Sequence, residues 1–268
     1  MSAAPSVFER IGGALLTPGP QAKVFAARQV ARDWRLGRLA FAPDCAMPDT
    51  PAWPDEPELL APTQMPRRGR GSEHGRLAHW HALAHIEFVA IDLALDMAGR
   101  FGAEMGEEFV GDWLSVAADE AMHFALLSRK LERLGSRYGA LPAHGNLWEA
   151  AEDTAHDVAA RLAVVPMVLE ARGLDVTPGM IEKVRRSGDE NGAEILSRIL
   201  DDEIRHVGFG TKHFVKCASN REIPPETLWQ ELVRKHFAGQ LRGPFNDSAR
   251  LAAGLSREFY ISLALVND

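Results

Sequence analysis

One pattern restricts this chain more than any other: a glutamate followed 33 residues later by Glu-x-x-His, written twice. Glu87 precedes Glu120 by that interval and Glu170 precedes Glu203 by the same one. His123 and His206 lie three residues beyond, and Asp119 and Asp202 stand directly before the second glutamates. Positions three apart share a face of an α-helix, so each Glu-x-x-His pair can aim both side chains at one point. Thirty-three residues is about the path down one helix, round a turn and back to the same height on an antiparallel neighbour. The repeat therefore describes two helical hairpins, each setting a glutamate opposite a Glu-x-x-His.

The surrounding text agrees. Apolar spacing predicts a helix over Pro20–Leu36, then a proline-rich packed arm from Pro43 to Pro66 that can be neither helix nor central strand. From Glu73 the pattern is helical: Glu73 to Arg100 ending at Gly99 and Gly102, and Gly106 to Leu134 closed by Gly135. A third long segment, punctuated by Gly173 and Pro178, follows. Thr177-Pro178 reads as the start of a short helix to Arg186. Further helices are expected over Asp189–Lys216, Pro225–Phe237 and Ser248 to about Ala264, with LRGPFN (241–246) as a surface loop or, less favoured, a lid. No strand pattern competes, so the class is all-α. The expected division is 1–72 for the N-terminal helix and arm, 73–217 for a four-helix bundle and 218–268 for a C-terminal helical extension.

The faces of these helices sharpen the reading. Around Glu87 the helical neighbours are Trp80, Leu83, Ala84 and Ile91; around Glu120 and His123 they are Trp113, Val116, Ala117 and Leu127. Glu170 lies among Ala163, Pro166, Met167 and Leu174, and Glu203 and His206 among Leu196, Ile199, Leu200 and Val207. A single glutamate on such a stripe is more often a boundary residue, and an isolated Glu-x-x-His more often a surface pair. Six in register are different, because burying four carboxylates without compensation forces most of them to take up protons. Two divalent cations supply the missing charge, and four carboxylates with two imidazoles are a ligand set for paired iron or manganese inside a bundle. Glu87, Glu120, His123, Glu170, Glu203 and His206 are thus the candidate metal ligands. Asp119 and Asp202 could each accept the N–H of a ligand histidine, or be plain solvated aspartates. His81 and His85 face elsewhere, His156 lies on the Glu170 face but about four turns away, beyond coordination range, and Pro166 should kink the helix beside Glu170.

The phrases HIEFVAIDLALD (85–96), DEAMHFALLSRKLERLG (119–135), LEARGLDVTPGM (169–180) and DDEIRH (201–206) resemble a bacterial family of unknown function within the ferritin-like superfamily. The resemblance implies a ferritin-like four-helix bundle with two Fe ions (Mn the alternative), O2 as co-substrate, and a di-iron oxidase or hydroxylase acting on an unknown small-molecule substrate with an unknown electron donor. Iron storage, detoxification or peroxide removal without an organic substrate is the alternative, and a tRNA-modifying hydroxylase the second. A net charge of −7 disfavours nucleic acid, although the Arg67–Arg70 run, read as a solvated turn, keeps tRNA in view. Two cysteines 172 positions apart and no CxxC exclude a zinc ribbon and suit a reducing compartment. No apolar run reaches a membrane span and no signal peptide is evident, so a cytoplasmic chain without membrane partners, in a homodimer or alone, is expected.

Overall fold

The computed structural model describes residues 4–66 and 72–265; the Arg67–Arg70 run lies outside them. The fold is all-α. Among the described residues the paired extended elements are a two-residue parallel pairing of Leu241–Arg242 with Ala264–Leu265 and two single bridges, Ser6 with Ala40 and Leu59 with Ala143. The chain divides into two compact units, Met1–Glu149 and Ala150–Asp268.

The first unit begins with a helix that the periodicity did not announce, α1 (Val7–Leu15), its apolar stripe interrupted in the sequence by Gly12 and Gly13. Ser6 caps it through its side-chain oxygen, and Val7, Phe8, Ile11, Ala14 and Leu15 are buried. α2 (Pro20–Arg35) opens with proline at its first position, where the missing N–H is harmless. The proline-rich arm packs as expected. Its carbonyls serve the helices: Pro48 O accepts from Arg100 Nη2 at 2.8 Å and Ala52 O from Lys23 Nζ at 3.0 Å.

α3 (Glu73–Met105) and α4 (Glu107–Arg133) form the first long hairpin, reversed by Gly106 alone at φ +93°. Gly99 and Gly102 do not end α3. A Cβ at Gly99 would run into Met47 and Ile11, and one at Gly102 into Val110 and Phe8, so these glycines are contact points rather than terminators. Gly135, at φ +74°, does close the hairpin.

α5 (Asn146–Asp153) leads from one unit to the next, and Asp157 caps α6 (Val158–Val164) by accepting from Ala159 N at 2.8 Å. A π-helical segment, Val165–Glu170, joins α6 to α7 (Ala171–Arg186). α8 (Glu190–Asn220) returns as the second hairpin's long partner, ending four residues beyond the expected Lys216. Pro178 does not start a helix; it lies inside α7. The carbonyl its missing N–H would have served is Leu174 O, which accepts from Asn246 Nδ2 at 3.1 Å instead.

After α9 (Pro225–His236), residues 241–246 are pinned rather than poised as a lid. Phe245 packs on Tyr260 with ring centres 4.8 Å apart, and Asn246 bonds to α7. The expected C-terminal helix is broken into α10 (Asp247–Ala252) and α11 (Arg257–Tyr260). Gly254, at φ +75°, ends α10, with Leu255 N donating back to Arg250 O at 2.8 Å.

Candidate metal centre

In the first unit the repeat does what its spacing implied. Glu87 on α3 and Glu120 and His123 on α4 are 5%, 1% and 0% exposed. Each offers a ligand atom, and those atoms lie within 4.8 Å of one another. His123 Nδ1 stands 3.2 Å from Glu87 Oε2 and 3.3 Å from Glu120 Oε2. Burial, then the charge of Glu120, holds the Glu87 carboxyl well above the usual carboxylate range. Two acids and an imidazole at this depth are a donor set that can hold a divalent ion. The hairpin creates it: α4 turns back at Gly106, between Glu87 on one helix and Glu120 and His123 on the other.

The second unit places its three residues differently. Glu203 and His206 share a face of α8, with His206 Nδ1 3.7 Å from Glu203 Oε2 and His206 fully buried. Glu170 is the last residue of the π-helical segment. Pro166 lacks an N–H and its ring crowds the preceding turn; a wider i→i+5 turn absorbs that conflict. Gly210, one turn beyond His206, provides the room. A Cβ there would come within 2.6 Å of the Pro166 ring. The kink expected at Pro166 is therefore a widened turn that sets the rotation of Glu170.

The two aspartates before the ligand motif differ. Asp202 is buried and accepts from two arginines of its own helix, Arg198 Nε at 2.7 Å and Arg205 Nη2 at 3.3 Å. Asp119 is half-buried. His81 and His85 serve the loop after α4, as their facing away implied. Gly139 N donates to His81 Nε2 at 2.9 Å; His85 lies 2.9 Å from Tyr138 Oη through Nδ1 and 3.1 Å from His144 O through Nε2. The carbonyl needs a donor, so Nε2 carries the proton and the Tyr138 hydroxyl donates to Nδ1. Burial lowers His85 to about 4 and keeps it neutral.

Two residues escaped the sequence reading. Asp92 follows Glu87 by five positions and Asp175 follows Glu170 by five, so the repeat is E-x4-D before each turn. Each aspartate meets a buried cation from outside its hairpin: Lys23 Nζ lies 2.6 Å from Asp92 Oδ1, and Arg250 Nη2 lies 2.8 Å from Asp175 Oδ2. The equal offset was legible in the sequence; the cations, 69 and 75 positions away, were not.

No helix among the described residues is long and apolar enough to cross a membrane. The model of a family described as a protein of unknown function, DUF455, matches residues 16–261. A relative from Haemophilus influenzae, described as an uncharacterized protein, is 39% identical over 261 residues, which cover 93% of this chain and 91% of the relative. No solved structure matches. With a family match that runs through both hairpins and both Glu-x-x-His motifs, the chain belongs to the DUF455 family.

Proposed function

We propose that the two triads, Glu87, Glu120 and His123 with Glu170, Glu203 and His206, serve one dinuclear centre in a ferritin-like fold, and that the protein is a carboxylate-bridged di-iron oxidase or hydroxylase. The observation that carries this reading is the buried Glu87–Glu120–His123 cluster, whose donor atoms lie within 4.8 Å of one another. Charge balance supports the second half: a second set of two glutamates and one histidine recurs at the same spacing, and four carboxylates match two divalent cations. Iron, with manganese the alternative, would supply redox chemistry with O2 when bound.

The chain's own residues would orient and enclose that chemistry. The carboxylates can shift between one- and two-oxygen ligation, and the packed apolar faces around them keep bulk water out. An open cavity of about 1230 Å³ in the first unit is walled by Phe124, Ala125, Ser128, Tyr138 and the start of α2. Phe124 follows His123 directly, which favours a small organic molecule as substrate over a macromolecule. An electron donor completes the requirements, and a cytoplasmic setting fits two cysteines that are not joined in a disulfide.

Anaerobic iron reconstitution followed by elemental analysis tests the centre. About two metals per chain are expected, falling in Glu120→Ala; a chain that takes up none removes the reading. Oxygen uptake with and without candidate substrates then separates an oxygenase from a storage protein, in which iron alone would drive all the uptake.

A further inference from the structure

A second group of imidazoles lies in the Ala150–Asp268 unit and includes none of the six candidate ligands. His156, exposed in the turn between α5 and α6, and His236, the last residue of α9, have ring centres 5.4 Å apart and planes inclined by 48°. His236 Nε2 is shut off from solvent and has no hydrogen-bond partner. Asp153, the last residue of α5, is exposed, and it and Asp157 both act electrostatically on His236. Asp157 is already engaged: it caps α6 and takes two bonds from the Arg221 guanidinium, at 2.7 and 3.2 Å. Asp153 is left as the carboxylate available to a ligand.

From these residues we infer a surface site for a divalent transition-metal ion, Zn(II)-like in its preference, held by His156 and His236 with Asp153 as third ligand. The spacing is the main argument. An imidazole nitrogen binds zinc at about 2.0–2.1 Å, which puts the ring centre about 3.2 Å from the ion, and two such rings at a tetrahedral angle have centres about 5.2 Å apart. The observed 5.4 Å is that separation within a few tenths of an ångström. A plain ring contact also brings two histidines close, but it gives His236 Nε2 nothing to bond. An ion does, and it leaves a coordination position for water.

The consequence is mechanical. The ion would join the end of α9 to the turn that enters α6, upstream of the π-helical segment carrying Glu170. Binding to the folded chain alone raises its stability by mass action.

Equilibrium dialysis of the full chain against Zn(II) at neutral pH tests this, with His156→Ala, His236→Ala and unsubstituted protein in parallel. Each variant should bind one equivalent fewer than the unsubstituted chain while keeping every other equivalent, and should lose part of the Zn(II)-induced rise in Tm. Co(II) in place of Zn(II) should lose one visible absorption component in the same two variants. His156 is exposed, so its variant reports on the ion without disturbing the fold. Unchanged stoichiometry in either variant overturns the site, whatever the Glu87 and Glu203 sets bind.

Discussion

The two hairpins carry the same residue pattern on different supports. In the first, a fully buried Lys23 ammonium donates to three oxygens: Asp92 Oδ1 at 2.6 Å, Ala52 O at 3.0 Å and Leu15 O at 3.2 Å. It thereby ties the end of α1, the proline-rich arm and α3 to one point. In the second, Arg250 grips Asp175 with Nε and Nη2, both at 2.8 Å, its guanidinium 4.9 Å from the Phe245 ring centre and 4.6 Å from that of Tyr260. A compact ammonium suits three converging acceptors, while a flat fork suits one carboxylate between aromatic rings. The aspartate stands five residues after a candidate ligand in both hairpins, which implies that each ion pair fixes the helix presenting Glu87 or Glu170.

The comparison is broken most forcefully by removing one cation. Lys23→Met or Arg250→Met strands a buried carboxylate, which should lower stability by about 3–5 kcal/mol, read from denaturant melts. Replacing both partners, as in Lys23→Met with Asp92→Leu, should recover most of that loss, because an apolar pair of similar volume needs no solvation. If the double variant is no better than the single one, the pair matters through its carbonyl contacts and not through charge.

Much of this was legible beforehand, and the failures have particular causes. Residues 107–133 obeyed their periodicity because nothing interrupts the α4 ladder. Gly99 and Gly102 misled because an interior glycine reads the same whether it ends a helix or admits Met47 and Val110. Pro178 misled for a related reason: the residue that compensates for it, Asn246, is 68 positions away. That Glu87, Glu120, His123 and His206 face the core followed from helical spacing alone. The widened turn before Glu170 did not, because its room comes from Gly210 on another helix.

Protonation tests the first hairpin next. Burial, opposed by the nearby Lys23, pushes the Asp92 carboxyl up to about 7. A folded-state value above the unfolded value of about 3.9 means the native chain keeps a proton the unfolded chain has lost. The stability Asp92 contributes is therefore fully present below about pH 4 and is lost as pH rises through 7. Asp92→Asn should remove that slope, so the Tm difference between variant and unsubstituted protein should change steadily across pH 4–7. A constant difference would show an aspartate titrating normally.

Gly210→Ala sharpens the contrast in the ligand-bearing segments. Alanine is favoured over glycine inside a helix by about 1 kcal/mol, so the substitution would stabilise an open position. Here the new methyl meets the Pro166 ring, and a net loss of about 1–3 kcal/mol is expected instead. Metal content should fall with it, because the displaced segment ends at Glu170. Gly173→Ala, where nothing lies within 4 Å of the new Cβ, is the control and should be neutral or stabilising. Equal effects at the two glycines would mean that the widened turn does not depend on α8.

The smallest effect concerns how the second hairpin tolerates a proline that the first lacks. Asn246 is a two-sided residue: its Oδ1 accepts from Ala249 N at 3.3 Å, capping α10, while its Nδ2 donates to Leu174 O. Asn246→Asp keeps the cap and removes the donor, so it isolates the bond that makes up for Pro178. Its loss should cost about 1–2 kcal/mol in the unsubstituted chain, where Leu174 O has no helical N–H to turn to. In a Pro178→Ala background that N–H returns, and the same substitution should cost less by about 0.5–1 kcal/mol, a coupling that a double-mutant cycle measures directly. Strict additivity would mean that α7 carries Pro178 by bending alone, and that the 241–246 segment is only packed against the helix it is argued to complete.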